Sequence, residues 1–76
     1  MQQATVNVIE MENDSIARLV AFDASDEGRQ EAKDRFASLV KSHDEEASES
    51  DIQEFIEEGY YETGLHQVFL VESANA

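Results

Sequence analysis

The sequence predicts an α+β fold, a ββααβ two-layer sandwich in which two helices cover one face of a three-stranded sheet. Three patterns support this prediction. Two short β-branched runs at residues 5–11 and 15–22 flank a polar turn, two segments with apolar residues at helical spacing follow, and an apolar run occupies residues 65–71. A chain of 76 residues has room for one hydrophobic core, so residues 1–76 are expected to form a single small domain.

The first two strands are predicted to form a β-hairpin. In the first run, Val6 and Val8 alternate with polar residues, whereas Ile9 and Met11 have the opposite parity. Residues 12–14 form a polar break that suits the turn, since Asn13 and Asp14 tolerate left-handed backbone. In the second run, one face is expected to carry Ile16, Arg18, Val20 and Phe22, and the other Ala17, Leu19 and Ala21.

The first helix is predicted to start within residues 23–27 and to run to about Ser42. Asp23 or Ser25 can cap its first N–H groups, and the acidic residues that follow lie favourably near the positive end of the helix dipole. Its apolar stripe consists of Ala32, Phe36, Leu39, Val40 and His43.

A second, shorter helix is predicted after an acidic connector at residues 44–50. Ser50 and Gln53 have the spacing of a capping box, and Gly59 is a natural C-terminal stop. The residues expected to face inward are Ile52, Phe55 and Ile56.

The last predicted strand spans residues 65–71 and is expected to pair with the first strand. Its second half, residues 68–71, is apolar on both parities, which is typical of a strand covered on both faces or of an interior strand. Residues 60–64, which contain two tyrosines and a glycine, are interpreted as a turn-rich bridge that leads into it.

The charge of the chain is strongly negative and unevenly distributed. Eighteen acidic residues against five basic ones give a net charge of −13. All five basic residues lie in the first 41 positions, and residues 42–76 contain ten acidic residues with no Lys or Arg. Such a surface repels nucleic acid and anionic membranes, and it attracts basic proteins.

The acidic run at residues 44–62 is the candidate partner-binding surface. An outward array of carboxylates resembles a row of phosphates in charge, so the Lys and Arg side chains of a nucleic-acid-binding protein can meet it through charge-assisted hydrogen bonds. A neighbouring exposed tyrosine would serve as an interface anchor. The alternative interpretation is a solvated helix face. The candidate binding residues are Glu45, Glu46, Glu49, Asp51, Glu54, Glu57, Glu58, Tyr61 and Glu62.

The sequence gives little support for catalysis, so a non-enzymatic function is predicted. The chain has no cysteine, His43 and His66 are its only histidines, and three scattered glycines form no phosphate-binding loop. Residues 23–34 partly match the spacing of an EF-hand loop, but Asp34 stands where a bidentate glutamate is needed and a predicted strand precedes the loop. No catalytic residue, metal or cofactor is therefore predicted.

In its acidic helix D-I-Q-E-F-I-E-E-G-Y-Y-E, its size and its order of elements, the chain resembles small acidic phage-encoded accessory and anti-defence proteins of the anti-CRISPR or anti-restriction DNA-mimic type. The resemblance implies an inhibitor whose partner is a basic nucleic-acid-binding protein, such as a host nuclease or CRISPR complex, with no direct contact to nucleic acid or membrane. The residues Met1-Gln2-Gln3 lack the basic start and apolar run of a signal peptide. The expected location is therefore the cytoplasm, which is the host cytoplasm if the protein is phage-encoded.

Two other functions remain open. The acidity can be an adaptation of a globular accessory protein to high salt, in which case the carboxylates serve solvation. Alternatively, the chain is a protein–protein adaptor or a homodimer that uses an exposed sheet edge.

Overall fold

The strands form one antiparallel sheet in the computed structural model, which describes residues 4–73. Along the chain the elements are β1 (Thr5–Glu12), β2 (Ser15–Asp23), α1 (Asp26–His43), α2 (Glu49–Glu58), β3 (Tyr60–Thr63) and β4 (His66–Ser73). The order of strands in the sheet is β2-β1-β4-β3. The predicted α+β class with two helices is confirmed, and the sheet has four strands where three were expected.

The additional strand is β3, so the interpretation of residues 60–64 as a bridge is wrong. β3 pairs with β4 from Tyr60 opposite Phe69 to Thr63 opposite His66. The Leu70 N–H also donates to the Gly59 carbonyl at 2.9 Å, which extends the pairing to the end of α2. Four residues are too few for a reliable alternation signal, and the pairing partner that makes them a strand lies in the tertiary structure.

β1 lies in the interior of the sheet, between β2 and β4. Val8, for example, is opposite Val20 on one side and opposite Leu70 on the other. The predicted pairing of the last strand with the first is therefore confirmed.

The core lies between the sheet and the two helices. From the sheet it contains Val6, Val8, Tyr61 and Val68, and from α1 it contains Ala32, Phe36 and Val40. The three apolar residues of α2, Ile52, Phe55 and Ile56, are partly buried against this cluster. The apolar stripes predicted for both helices thus face the sheet, as expected for amphipathic helices.

A β-bulge in β2 changes the face on which Ile16 lies. Glu10 is opposite Arg18 but the next residue, Met11, is opposite Ile16, so Ala17 is the extra residue. Ile16 therefore shares the face of Met11, away from the helices, and it is 61% exposed. The expectation that Ile16 lies beside Val20 is wrong, because strict alternation does not hold across a bulge.

Both helices begin at serine caps. The predicted cap of α1 is confirmed, since the Gly28 N–H donates to Ser25 Oγ at 3.1 Å. In α2 the capping box is formed by Ser48 and Asp51, and not by Ser50 and Gln53 as expected. The helix begins two residues earlier than that spacing implied, because the Ser48 side chain accepts from the Asp51 N–H and the Asp51 side chain accepts from the Ser48 N–H.

Alanine substitutions of Ser48 and Ser50 test which of the two serines caps α2. Ser48→Ala removes the hydroxyl that accepts from the Asp51 N–H at 3.2 Å, and it should lower the free energy of unfolding by about 1 kcal/mol. Ser50→Ala, its matched control within the first turn, should change it by less than about 0.5 kcal/mol. Urea denaturation measures both, and the reverse order of losses would contradict the observed cap.

Two glycines with positive φ allow a test of how closely the end of α2 approaches β4. Gly59 ends α2 at φ +72°, as predicted, and a Cβ there would lie 2.7 Å from the Leu70 carbonyl oxygen. Gly64, in the β3–β4 turn, has φ +57° with no atom within 4 Å of such a Cβ. Gly64→Ala should cost about 1 kcal/mol of folding free energy from backbone strain, and Gly59→Ala about 2–4 kcal/mol from strain and collision together. Equal losses in denaturation experiments would argue against the close approach of α2 to β4.

Candidate binding surface on the second helix

The connector and α2 carry a set of exposed carboxylates with no basic residue among them, here called the acidic ridge. All of its members are exposed to solvent, and residues 44–58 contain no Lys or Arg. The eight residues of the acidic ridge are Asp44, Glu45, Glu46, Glu49, Asp51, Glu54, Glu57 and Glu58.

The packing of α2 explains why these carboxylates point outward. The apolar residues Ile52, Phe55 and Ile56 occupy one side of the helix and pack against the core. The Phe55 ring meets the Tyr61 ring edge-on, with the centroids 4.9 Å apart. Because one side of a helix is fixed against the core, residues at the other helical positions must face the solvent.

Within residues 4–73, the ion pairs lie outside the acidic ridge. Arg29 pairs with Asp26 at 4.0 Å and with Glu72 at 2.7 Å. The hydrogen bond from Arg29 to Glu72 raises the pKa of the guanidinium above its ordinary value. Lys41, which lies beside the connector, donates its Nζ to the Ala47 carbonyl at 2.8 Å. No carboxylate of the acidic ridge takes part in an ion pair in this part of the chain.

The charge difference between the two helices is large. The segment Asp26–His43 of α1 contains four acidic and four basic residues, so its formal charge is zero without the histidine. The acidic ridge contributes eight negative charges from residues 44–58. The net negative charge of the helical layer therefore belongs to α2 and its connector.

Two of the predicted binding residues do not belong to this surface. Tyr61 is 5% exposed and is part of the core, so the expectation of an exposed anchor at this position is wrong. Glu62 is exposed, but it lies on the sheet face that points away from the helices and accepts a hydrogen bond from Gln67 Nε2 at 2.9 Å. Both residues were assigned to the surface of α2 because they follow this helix closely in the sequence. They belong instead to β3, whose side chains alternate between the two faces of the sheet.

The structure also presents an apolar surface that was not among the predicted sites. The face of the sheet away from the helices, here called the open sheet face, includes a row across all four strands in the order Leu19, Ile9, Phe69 and Tyr60. The rings of Tyr60 and Phe69 are 5.1 Å apart. Desolvation of the Tyr60 phenol, together with its hydrogen bond to Glu62, raises its pKa above the ordinary value. In the sequence, this surface is indicated by the apolar residues on both parities of β4. The helices cover only one of the two faces of this strand.

The two histidines meet at one end of the sheet. Their rings are stacked with centroids 4.6 Å apart, and His43 Nε2 lies 3.6 Å from Glu10 Oε2. In the described part of the chain, no group of three His, Cys, Asp or Glu side chains is arranged to hold a metal ion. The contact joins the C-terminal end of α1 to β1 and β4.

Comparisons of the chain with protein-family models, with curated proteins and with solved structures give no match. Among residues 4–73, no helix is both long enough and apolar enough to cross a membrane.

Repulsion within the acidic ridge should make stability depend on salt. The melting temperature should rise by a few degrees between about 0.02 M and 0.5 M NaCl, because salt screens exposed like charges. The triple variant Glu54→Gln/Glu57→Gln/Glu58→Gln should show a smaller rise than Glu27→Gln/Glu31→Gln/Asp34→Asn, which removes three exposed charges from the balanced helix α1.

Thermal melts followed by circular dichroism measure the salt dependence of the melting temperature of each triple variant. An equal salt response of the two triple variants would contradict a locally uncompensated surface. A chain that folds only in molar salt would instead favour adaptation to high salt.

Proposed function

We propose that this protein is a non-catalytic binding protein whose acidic ridge docks in a Lys- and Arg-lined groove of a nucleic-acid-binding protein and inhibits it. The carboxylates would occupy positions that phosphates of DNA or RNA occupy otherwise. Inhibition is then stoichiometric, because one bound copy of the chain excludes the nucleic acid from the groove.

The observation that carries this proposal is the density of unpaired charge on α2. Five carboxylates lie on the ten residues of Glu49–Glu58. A helix of this length spans roughly 15 Å, so the mean spacing is about 3 Å per charge along the axis. One strand of B-DNA carries a phosphate every ~3.4 Å. The linear charge density of α2 is thus comparable with that of one nucleic-acid strand.

The charge distribution around the acidic ridge supports binding of a partner to one side of the protein. α1 is balanced in charge, so the negative potential is concentrated on α2 and the connector. A partner with a cationic groove would be drawn to this side and oriented by it. The resemblance to small anti-defence proteins makes a host nuclease or a CRISPR complex the first partner to test.

The proposal is tested by capture and competition. The immobilised chain is mixed with bacterial lysate proteins that bind heparin, which enriches nucleic-acid-binding proteins. It should retain a specific protein at about 0.1 M NaCl, release it when double-stranded DNA is added, and retain little at about 0.5 M NaCl, because carboxylate–cation contacts are screened like phosphate contacts.

The two triple variants serve as a matched pair. Glu54→Gln/Glu57→Gln/Glu58→Gln should weaken capture about tenfold or more, whereas Glu27→Gln/Glu31→Gln/Asp34→Asn should retain most of it. Retention of no protein at either salt concentration would contradict the proposal. Equal weakening by both variants would show that net charge, and not the acidic ridge, attracts the captured protein.

A further inference from the structure

The open sheet face is apolar and uncovered in the described part of the chain. Both helices contribute to the core on the opposite face of the sheet. Three of its side chains are unusually exposed for their type, with Ile16 at 61%, Leu19 at 53% and Val71 at 42%. Soluble monomers rarely expose a contiguous apolar patch of this kind unless it binds something.

The distribution of charge on the open sheet face limits what can bind there. By register, the two carboxylates on this face in the described strands are Asp23, at one end of β2, and Glu62, at the other end of the sheet on β3. The rows between these corners contain apolar residues with Asn7 and Gln67. The interior of the face offers no charged group to a cationic or anionic partner, so the matching surface is another uncharged apolar face.

The size of the face fits a small homodimer. Three strands of eight or nine residues and one of four, at ~3.3 Å per residue and ~4.8 Å between strands, give a flat area of roughly 450 Å². Two copies in contact would bury about 900 Å² in total, which corresponds to a weak interface. An interface of this size and composition should produce a dimer with a dissociation constant in the micromolar range.

We propose that the open sheet face is a homodimer interface, in which the sheets of two copies stack face to face to form a four-layer α-β-β-α assembly. The row of Leu19, Ile9, Phe69 and Tyr60 lies at its centre. Aligned sheets pack about 10 Å apart with interdigitated side chains, which suits a row of large and small apolar residues. This inference is independent of the function proposed for the acidic ridge.

Electrostatic repulsion between the acidic ridges is weak in this dimer, and the repulsion that remains comes from the sheet, where Asp23 and Glu62 lie at the corners of the open sheet face. The acidic ridges lie on the helical layers, which are the outer layers of the stacked assembly. With layers about 10 Å apart, the ridges of the two copies are separated by roughly 30 Å, whereas the Debye length is ~8 Å at physiological ionic strength. Pairing of two copies through the edge strand β2 is the competing arrangement, but it would leave the entire open sheet face in water.

Sedimentation velocity of the intact chain, from about 5 to 500 µM at two salt concentrations, tests the proposal. The wild type should change from monomer to dimer over this range, and dimerisation should tighten about threefold or more between 0.05 M and 0.5 M NaCl. Salt should weaken capture by the acidic ridge, so the two surfaces give opposite responses. A monomer at every concentration and both salts would overturn the proposal.

Single substitutions test whether the dimer forms through the open sheet face. Leu19→Lys should weaken dimerisation about tenfold or more, because it places a charge in the central row. Leu65→Lys is the matched control: Leu65 is 67% exposed, but it lies in the β3–β4 turn outside the paired strands. The triple variant Glu54→Gln/Glu57→Gln/Glu58→Gln should dimerise at least as well as the wild type, and Leu19→Lys should retain capture of the cationic partner.

Two further results would overturn the proposal. One is equal weakening by Leu19→Lys and Leu65→Lys. The other is a dimer in which the β2 backbone amides become protected from hydrogen exchange, since new hydrogen bonds there would indicate edge pairing. Circular dichroism establishes that each variant is folded, and the wild-type concentration series provides a test that depends on no substitution.

Discussion

The packing of α1 on the two central strands is the interaction on which the rest of the structure depends. Phe36 is fully buried and lies in one cluster with Val8 of β1 and Val68 of β4. Once this contact fixes one face of the sheet as the covered face, the other face is left to solvent, because a short chain supplies only two helices. The same contact positions α2 beside α1 and thereby directs the acidic ridge outward.

The charged and apolar surfaces of the protein are separated by the thickness of the molecule. The acidic ridge belongs to the helical layer, and the open sheet face belongs to the other side of the sheet. Attraction of a cationic partner weakens with salt, whereas contact between apolar faces does not. A protein built in this way can use both surfaces at once, and a stacked dimer would present two acidic ridges on opposite outer faces. Two linked ridges would increase avidity for a partner with two grooves.

The uneven distribution of cations distinguishes the two helices. α1 intersperses basic with acidic residues, and Arg29 ties it to Glu72 of β4. α2 has the same kind of apolar side but no cation, so its carboxylates repel each other and reduce stability. A helix that served only to cover the core would gain from a few lysines on its outer side. Their absence from residues 44–58 is therefore consistent with a surface shaped for binding.

Features that depend on neighbouring residues were predictable from the amino-acid pattern. Alternation grouped Val6 and Val8 on one face of β1, helical spacing identified Phe36 and its stripe, and Gly59 marked the end of α2. Features that depend on a distant partner emerge only in the folded chain. β3 is a strand because β4 lies beside it, and Ile16 changes face because β2 contains a bulge. Because the side chains of β3 alternate between the two faces of the sheet, Tyr61 and Glu62 lie on opposite faces, and the extent of the candidate binding surface could not be read from adjacency in the chain.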